Sequence, residues 1–287
     1  MTNGSFNHFY ILSSLKPSEE FTAIELFKFI EAEKIENGLH IDLTHIKFDG
    51  FTDLENILKD INKSTLEGTR PIIHFECHGD PDDGLFFKDN TEIQWDKLSE
   101  LLLKINRSSR FNLLIGLAAC YGSEFFGNMS PMHPCPCLLV FAPAKEVDPG
   151  EVMSGPRQFY GTLLRTRDAD EANRRLRNAQ GEWLWLSAEV LFLGAVHNFI
   201  TLHCTPERLL EEIKDAQSHF SKHGIQKSIP ELTADFNKYA ENKILNDFFD
   251  KYFSTDAVPE NKHRFANLKI RVQKLIEELR GTGKYWI

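Results

Sequence analysis

Two side chains able to carry out nucleophilic chemistry stand at the ends of two apolar runs. Residues 111–122, FNLLIGLAACYG, stay apolar as far as Cys120 and then turn at Gly122. Residues 71–80, PIIHFECHGD, form a short, mainly apolar run that leads into His78, Gly79 and an acidic turn. A thiol attacks a carbonyl as thiolate, so its site must favour the charged form and remain partly open. A neighbouring imidazole can take that proton and later return it to a leaving amine. Either residue alone would read as an ordinary core cysteine or a strand-end histidine. Both at matching run ends, each followed within two residues by glycine, point to a Cys–His dyad formed by Cys120 and His78.

Such a dyad requires two adjacent parallel strands whose carboxyl ends share one rim, where α/β sheets carry their ligands. The runs are about 40 residues apart, enough for a hairpin and a crossover helix. The flanking chain supplies the remaining elements. Residues 6–15 read as a strand, and Pro17-Ser18 open a helix with Phe21, Ile24, Phe27 and Ile30 at helical spacing. Residues 39–48 alternate as a second strand. Thr52 and Glu55 form a capping-box pattern ahead of Leu54, Ile57, Leu58 and Ile61. The order βαβαβ predicts a mainly parallel sheet with helices on both faces. A hairpin around Lys88-Asp89-Asn90, a helix over 96–106, a fifth strand over 137–142, a helix starting at Pro156 and a sixth strand over 183–186 complete an α/β three-layer sandwich. From Thr205 the texture becomes charged and helical with no strand signal. The predicted division is therefore a domain over 1–204 and a helical C-terminal region over 205–287, packed on the first or offered to a partner.

The motif Ala118-Ala119-Cys120-Tyr121-Gly122 shares three of five positions with the caspase signature Gln-Ala-Cys-(Arg/Gln/Gly)-Gly, whose histidine lies about 50 residues upstream. The chain resembles the caspase-like (clan CD) cysteine peptidases, and more closely their prokaryotic CHAT-domain branch. The parts that carry this resemblance are His78-Gly79, the hairpin Gly84-Leu85-Phe86-Phe87 with Asp89, the following helix, Ala119-Cys120, and the Phe159-Tyr160 pair on a later helix. It spans about the first two thirds of the chain by order of elements. It implies a thiol endopeptidase acting on a protein or peptide substrate, with backbone N–H groups of Gly79 and Cys120 as oxyanion hole. In relatives the residue two before the cysteine helps read the substrate side chain preceding the cut, and it is acidic in Arg-cutting relatives. Here that residue is Ala118, which is consistent with a small or apolar residue before the cut. Glu146 and Asp148, in the loop after the fifth strand, could line a pocket for a basic residue, although a solvated acidic loop is the plainer reading. Relatives of this type often serve as regulated effectors in antiviral defence or cell death, and an upstream regulator would engage the C-terminal helices. The competing reading is a catalytically silent scaffold that keeps the fold for binding.

A net charge of −9 argues against a nucleic-acid partner, which needs clustered Lys and Arg. Five scattered cysteines in a chain of this size fit a reducing compartment. The first ten residues lack the order of a signal peptide, and the greasiest window, residues 183–196, is too short for a membrane span. The expected location is cytoplasmic, with no membrane partner. His74-Phe75-Glu76 with Pro134-Cys135-Pro136-Cys137 brings to mind the zinc deaminase pattern. The cysteine pair is one residue too close, however, and His74 lies within a strand pattern instead of opening a helix. His133, Cys135 and Cys137 with a remote Cys204 are weaker zinc candidates. No metal and no cofactor is expected.

Overall fold

The computed structural model describes residues 5–130 and 132–287. Its first unit comprises residues 5–129 with Cys135–Ala188. The element order is β1 (His8–Ser13), α1 (Phe21–Glu36), β2 (Asp42–Lys47), α2 (Phe51–Leu66), β3 (Pro71–Glu76), β4 (His78–Asp80), β5 (Gly84–Phe86), β6 (Glu92–Ile93), α3 (Trp95–Ser108) and β7 (Leu114–Ala118). A 3-10 turn (Gly122–Asn128) leads to β8 (Leu139–Pro143), α4 (Pro149–Thr166), α5 (Ala169–Leu176) and β9 (Trp183–Ser187). Six strands form one sheet in the order β2-β1-β3-β7-β8-β9. All neighbours are parallel except β8 and β9. The fold is thus α/β with a mainly parallel sheet between helical layers, as the element order predicts.

Burial follows position in the sheet. The inner strands β3, β7 and β8 are buried at every residue, as strands covered on both faces must be. The edge strand β2 is half-exposed. One face packs Phe9, Ile11 and Ile72 against Ala23, Leu26 and Ile30 of α1 and Phe159, Tyr160 and Leu163 of α4. Each fully buried Phe, Ile or Leu among them contributes about 1.5–3 kcal/mol. The other helical pair is α2 with α3, burying Leu54, Leu58 and Ile61 and Leu98, Leu102 and Ile105.

Three local readings are corrected. The buried stripe of α1 is Ala23, Leu26 and Ile30, whereas Phe21 and Ile24 are exposed, because α1 starts at Phe21 and turns a different face to the sheet. The helix α2 starts one residue before Thr52, with Gly50 at its N-cap, so the Thr52/Glu55 box does not form. The helix α4 begins at Pro149, and Pro156 lies inside it. Its start is a reciprocal capping box in which the Asp148 carboxylate accepts from Glu151 N–H and the Glu151 carboxylate accepts from Asp148 N–H. That box, with proline at the first helical position, is the stronger start signal.

The sheet reverses its winding between β1 and β3: α1 leads to β2 on one side of β1, and α2 then leads to β3 on the other. A crevice outside the carboxyl ends of strands at such a reversal is the usual ligand position in open α/β sheets. The strand β3 stops at Glu76, and His78 opens a separate antiparallel sheet, β4-β5-β6, instead of ending β3 itself.

The second unit holds residues 130 and 132–134 with Glu189–Ile287. It takes in α6 (Ala188–His203) from its second residue onward, so this helix groups with the helices after Thr205. The unit continues with α7 (Pro206–Lys222), α8 (Ile229–Asn242), a π-helical stretch (Lys243–Phe248), α9 (Phe249–Tyr252), α10 (Asn261–Arg264) and α11 (Ala266–Gly281). An aromatic cluster of Phe192, Phe249, Tyr252, Phe253 and Phe265 lies at its centre, with ring centroids as close as 4.3 Å. Among the described residues, no helix is long and apolar enough to cross a membrane.

Candidate active site

Register brings the two strand ends together. Ser13 of β1 pairs with Glu76 of β3, and Glu76 pairs with Ala118 of β7, so three strands end on one row. His78 and Cys120 each lie two residues beyond that row. Both line one cavity of about 370 Å³, within the usual range for small-molecule and side-chain pockets. Its walls include Leu15, Phe21, Val147 and Val152, with Ala118 and Glu76 beside them.

Gly79 couples the two ends directly. A Cβ added to it would lie 2.2 Å from the Cys120 carbonyl oxygen and 3.1 Å from the Ala119 Cβ, so only glycine allows the backbones this approach. The chain leaves Cys120 through Tyr121 in the left-handed region at φ 56°, an uncommon conformation for a non-glycine residue. The Tyr121 N–H is fixed by the Lys145 carbonyl at 3.2 Å. This sharp turn ends the strand with the Cys120 side chain at the cavity. Among the described residues, the Cys120 N–H donates to no carbonyl and can meet an oxyanion.

Of the five cysteines, Cys120 is the one not buried. Its Sγ lies 3.9 Å from the Val147 carbonyl. Burial pushes the thiols of Cys77 and Cys137 far above the ordinary range and that of Cys204 up to about 11, so these three stay protonated and inert.

The structure supplies a third group that the sequence did not reveal. His78 Nε2 lies 3.2 Å from Glu19 Oε2, at the turn between β1 and α1. Burial pushes the Glu19 carboxyl up, but the Lys16 N–H and the His78 ring outweigh it and hold the group below its ordinary value. With Nε2 engaged, Nδ1 is the nitrogen left to exchange a proton with a thiol. The imidazole is 57% exposed and Glu19 41%, so the pair orients the ring and adds little stability.

A buried polar row lies on β3 just before His78. Glu76 is 2% exposed and His74 fully buried. The Thr22 hydroxyl donates to Glu76 Oε2 at 2.5 Å. His74 Nε2 lies 3.4 Å from Glu76 Oε1, outside good hydrogen-bond alignment, and Nδ1 meets the Tyr160 hydroxyl at 3.2 Å. Gly116 makes room for this row, since a Cβ there would sit 2.3 Å from the Tyr160 oxygen and 2.7 Å from His74 Nδ1. The sequence did carry a signal for Glu76: a carboxylate inside an otherwise apolar strand is rarely buried without a task.

The remaining candidates separate. Ala118 lines the cavity, whereas Glu146 and Asp148 do not. Glu146 is exposed and accepts from the Tyr121 hydroxyl at 3.5 Å, and Asp148 is occupied as the cap of α4. Among the described residues, no group of three or more His, Cys, Asp or Glu is arranged to hold a metal ion. His133 is exposed, while the Cys135 thiol is directed to the Cys137 carbonyl at 3.1 Å. No protein-family model matches the chain, and no curated protein matches it in sequence.

Proposed function

We propose that the chain is a cysteine endopeptidase of the caspase-like, CHAT-type class, with Cys120 as nucleophile and His78 as acid/base. The observation that carries this reading is a single cavity lined by a half-exposed thiol and an imidazole, delivered from adjacent strand ends with Gly79 pressed on the Cys120 backbone. His78 Nδ1 takes the Sγ proton, and the thiolate adds to the substrate carbonyl carbon. The oxyanion accepts from the N–H groups of Gly79 and Cys120. The C–N bond then breaks, the proton passes from His78 to the leaving amine, and the acyl group stays on sulfur as a thioester. Water adds to that thioester, giving a proton to His78. The C–S bond breaks, the acid leaves, and the proton returns to sulfur. Glu19 holds the ring through these transfers.

A peptidyl acyloxymethyl ketone probe tests the reading. It should modify Cys120 of the whole chain, and Cys120→Ala should abolish labelling. His78→Ala should slow it by about 10²–10⁴-fold, the usual contribution of a positioned acid/base. Labelling that persists in Cys120→Ala, or that is no faster than with a simple alkylating agent, would remove the proposal. Regulated action in prokaryotic defence or cell death is the biological setting that the resemblance favours. Unchanged phage survival and host viability after deletion of the gene would remove that setting.

A further inference from the structure

Ala118 stands where an acidic residue reads arginine in some relatives, and its methyl group can read neither charge. Its paired neighbour changes that conclusion. Glu76 sits directly across from Ala118 in the β3–β7 ladder, and directly paired residues face the same side of a sheet. Both line the cavity that holds Cys120. The small Ala118 side chain leaves Glu76 as the acidic residue beside it in that lining.

A row of polar groups surrounds the Glu76 side chain. Burial and the nearby Glu76 carboxylate push the Tyr160 phenol well above its ordinary range, so its hydroxyl keeps a proton to donate. The Tyr160 hydroxyl and His74 Nδ1 lie 3.2 Å apart, and His74 Nε2 lies 3.4 Å from Glu76 Oε1. The Thr22 hydroxyl donates to Glu76 Oε2. Among the described residues, Glu76 makes no ion pair with a Lys or Arg. None of the cavity-lining residues is Lys or Arg, and Glu19 adds a second carboxylate at the rim. A buried acidic side chain with no Lys or Arg partner gains a charge-assisted hydrogen bond when a cation enters the cavity. The walls of Leu15, Phe21, Val147 and Val152 suit an aliphatic stem leading to such a cation.

We propose that Glu76 makes this cavity the recognition pocket for a basic side chain, lysine or arginine, immediately before the scissile bond. The assignment rests on the peptidase reading of the same site and reverses the expectation of a small or apolar residue drawn from Ala118. Glu76 acts in place of the acid that other chains carry two residues before the cysteine, from the neighbouring strand.

The test uses the full chain and two peptidyl acyloxymethyl ketones identical except for lysine or norleucine next to the reactive group. Adduct formation at Cys120 is followed by intact mass. The lysine probe should react about 10- to 100-fold faster, the range for one charge-assisted contact in a desolvated site. In Glu76→Gln the ratio should fall to within about threefold of unity. Equal rates in the wild-type chain, or a preference that survives Glu76→Gln, would overturn the pocket assignment and leave the peptidase reading standing. If neither probe modifies Cys120, both fall together. Should Glu76→Gln fail to fold, the wild-type chain decides alone. Benzamidine should slow alkylation of Cys120 by iodoacetamide, and isosteric neutral benzamide at the same concentration should not. Equal protection by the two, or none by either, would overturn the assignment.

Discussion

Gly79→Ala probes the junction on which the candidate site depends. The added Cβ would lie 2.2 Å from the Cys120 carbonyl oxygen and 3.2 Å from its carbon, both backbone atoms that no rotamer change can move. Relief requires the strand ends to separate by about 1 Å, the shortfall from an ordinary carbon–oxygen contact. That displacement acts on Cys120 and on the neighbour of His78 together. A misplacement of about 1 Å between reacting groups costs about 10²-fold. Overpacking of this kind costs about 1–3 kcal/mol, and each kcal/mol lowers the melting temperature by about 2–4 °C in a unit of this size. The assay pairs the rate of Cys120 modification by the lysine probe with a thermal melt. Gly127→Ala serves as control, because a Cβ there meets nothing within 4 Å. The expected result is a large rate loss with a modest melting shift, confined to Gly79→Ala. Wild-type rate and melting in Gly79→Ala would refute the claim that the two backbones are in forced contact.

Two further perturbations separate neighbouring roles. Glu19→Gln should lower kcat/KM by about 3–10-fold with little change in melting, since the Glu19–His78 pair is largely exposed. The folded-state carboxyl of Glu19 is depressed, so its hold on His78 is fully present above the ordinary carboxylate value and lost as pH falls through the depressed one. The wild-type advantage over Glu19→Gln should shrink at acid pH, and an advantage that grows there would contradict the pairing. Asp148→Ala should cost about 0.5–2 kcal/mol through loss of the α4 cap. A change in kcat/KM beyond about threefold would show that Asp148 reaches substrate.

Much of the framework was legible because hydrophobic periodicity reports local geometry. The apolar run of residues 114–118 and the mainly apolar run of 71–76, interrupted by His74 and Glu76, mark strands covered on both faces, and the hairpin around Lys88-Asp89-Asn90 forms with Asn90 at φ 66°. The errors lie where two local signals compete. At α1 the sequence offers both Phe21/Ile24/Phe27 and Ala23/Leu26/Ile30 as stripes, and packing against the sheet chooses the second. Phe21 is thereby released to the cavity wall. At α4, Pro156 resembles a helix start, but the capping box at Asp148 and Glu151 nucleates the helix earlier.

By itself, the sequence determined which chemically able side chains stand at the ends of which strands: Cys120 after β7, His78 after β3, and a glycine beside each. Tertiary structure alone decided which groups surround them. Glu19 meets His78 across 59 residues of chain. Glu76 comes to lie beside Ala118 in the cavity lining only once β3 and β7 adopt their register. A strand's pattern says which residues share its face, but the partner across the ladder depends on an alignment that shifts every contact with a one-residue slip.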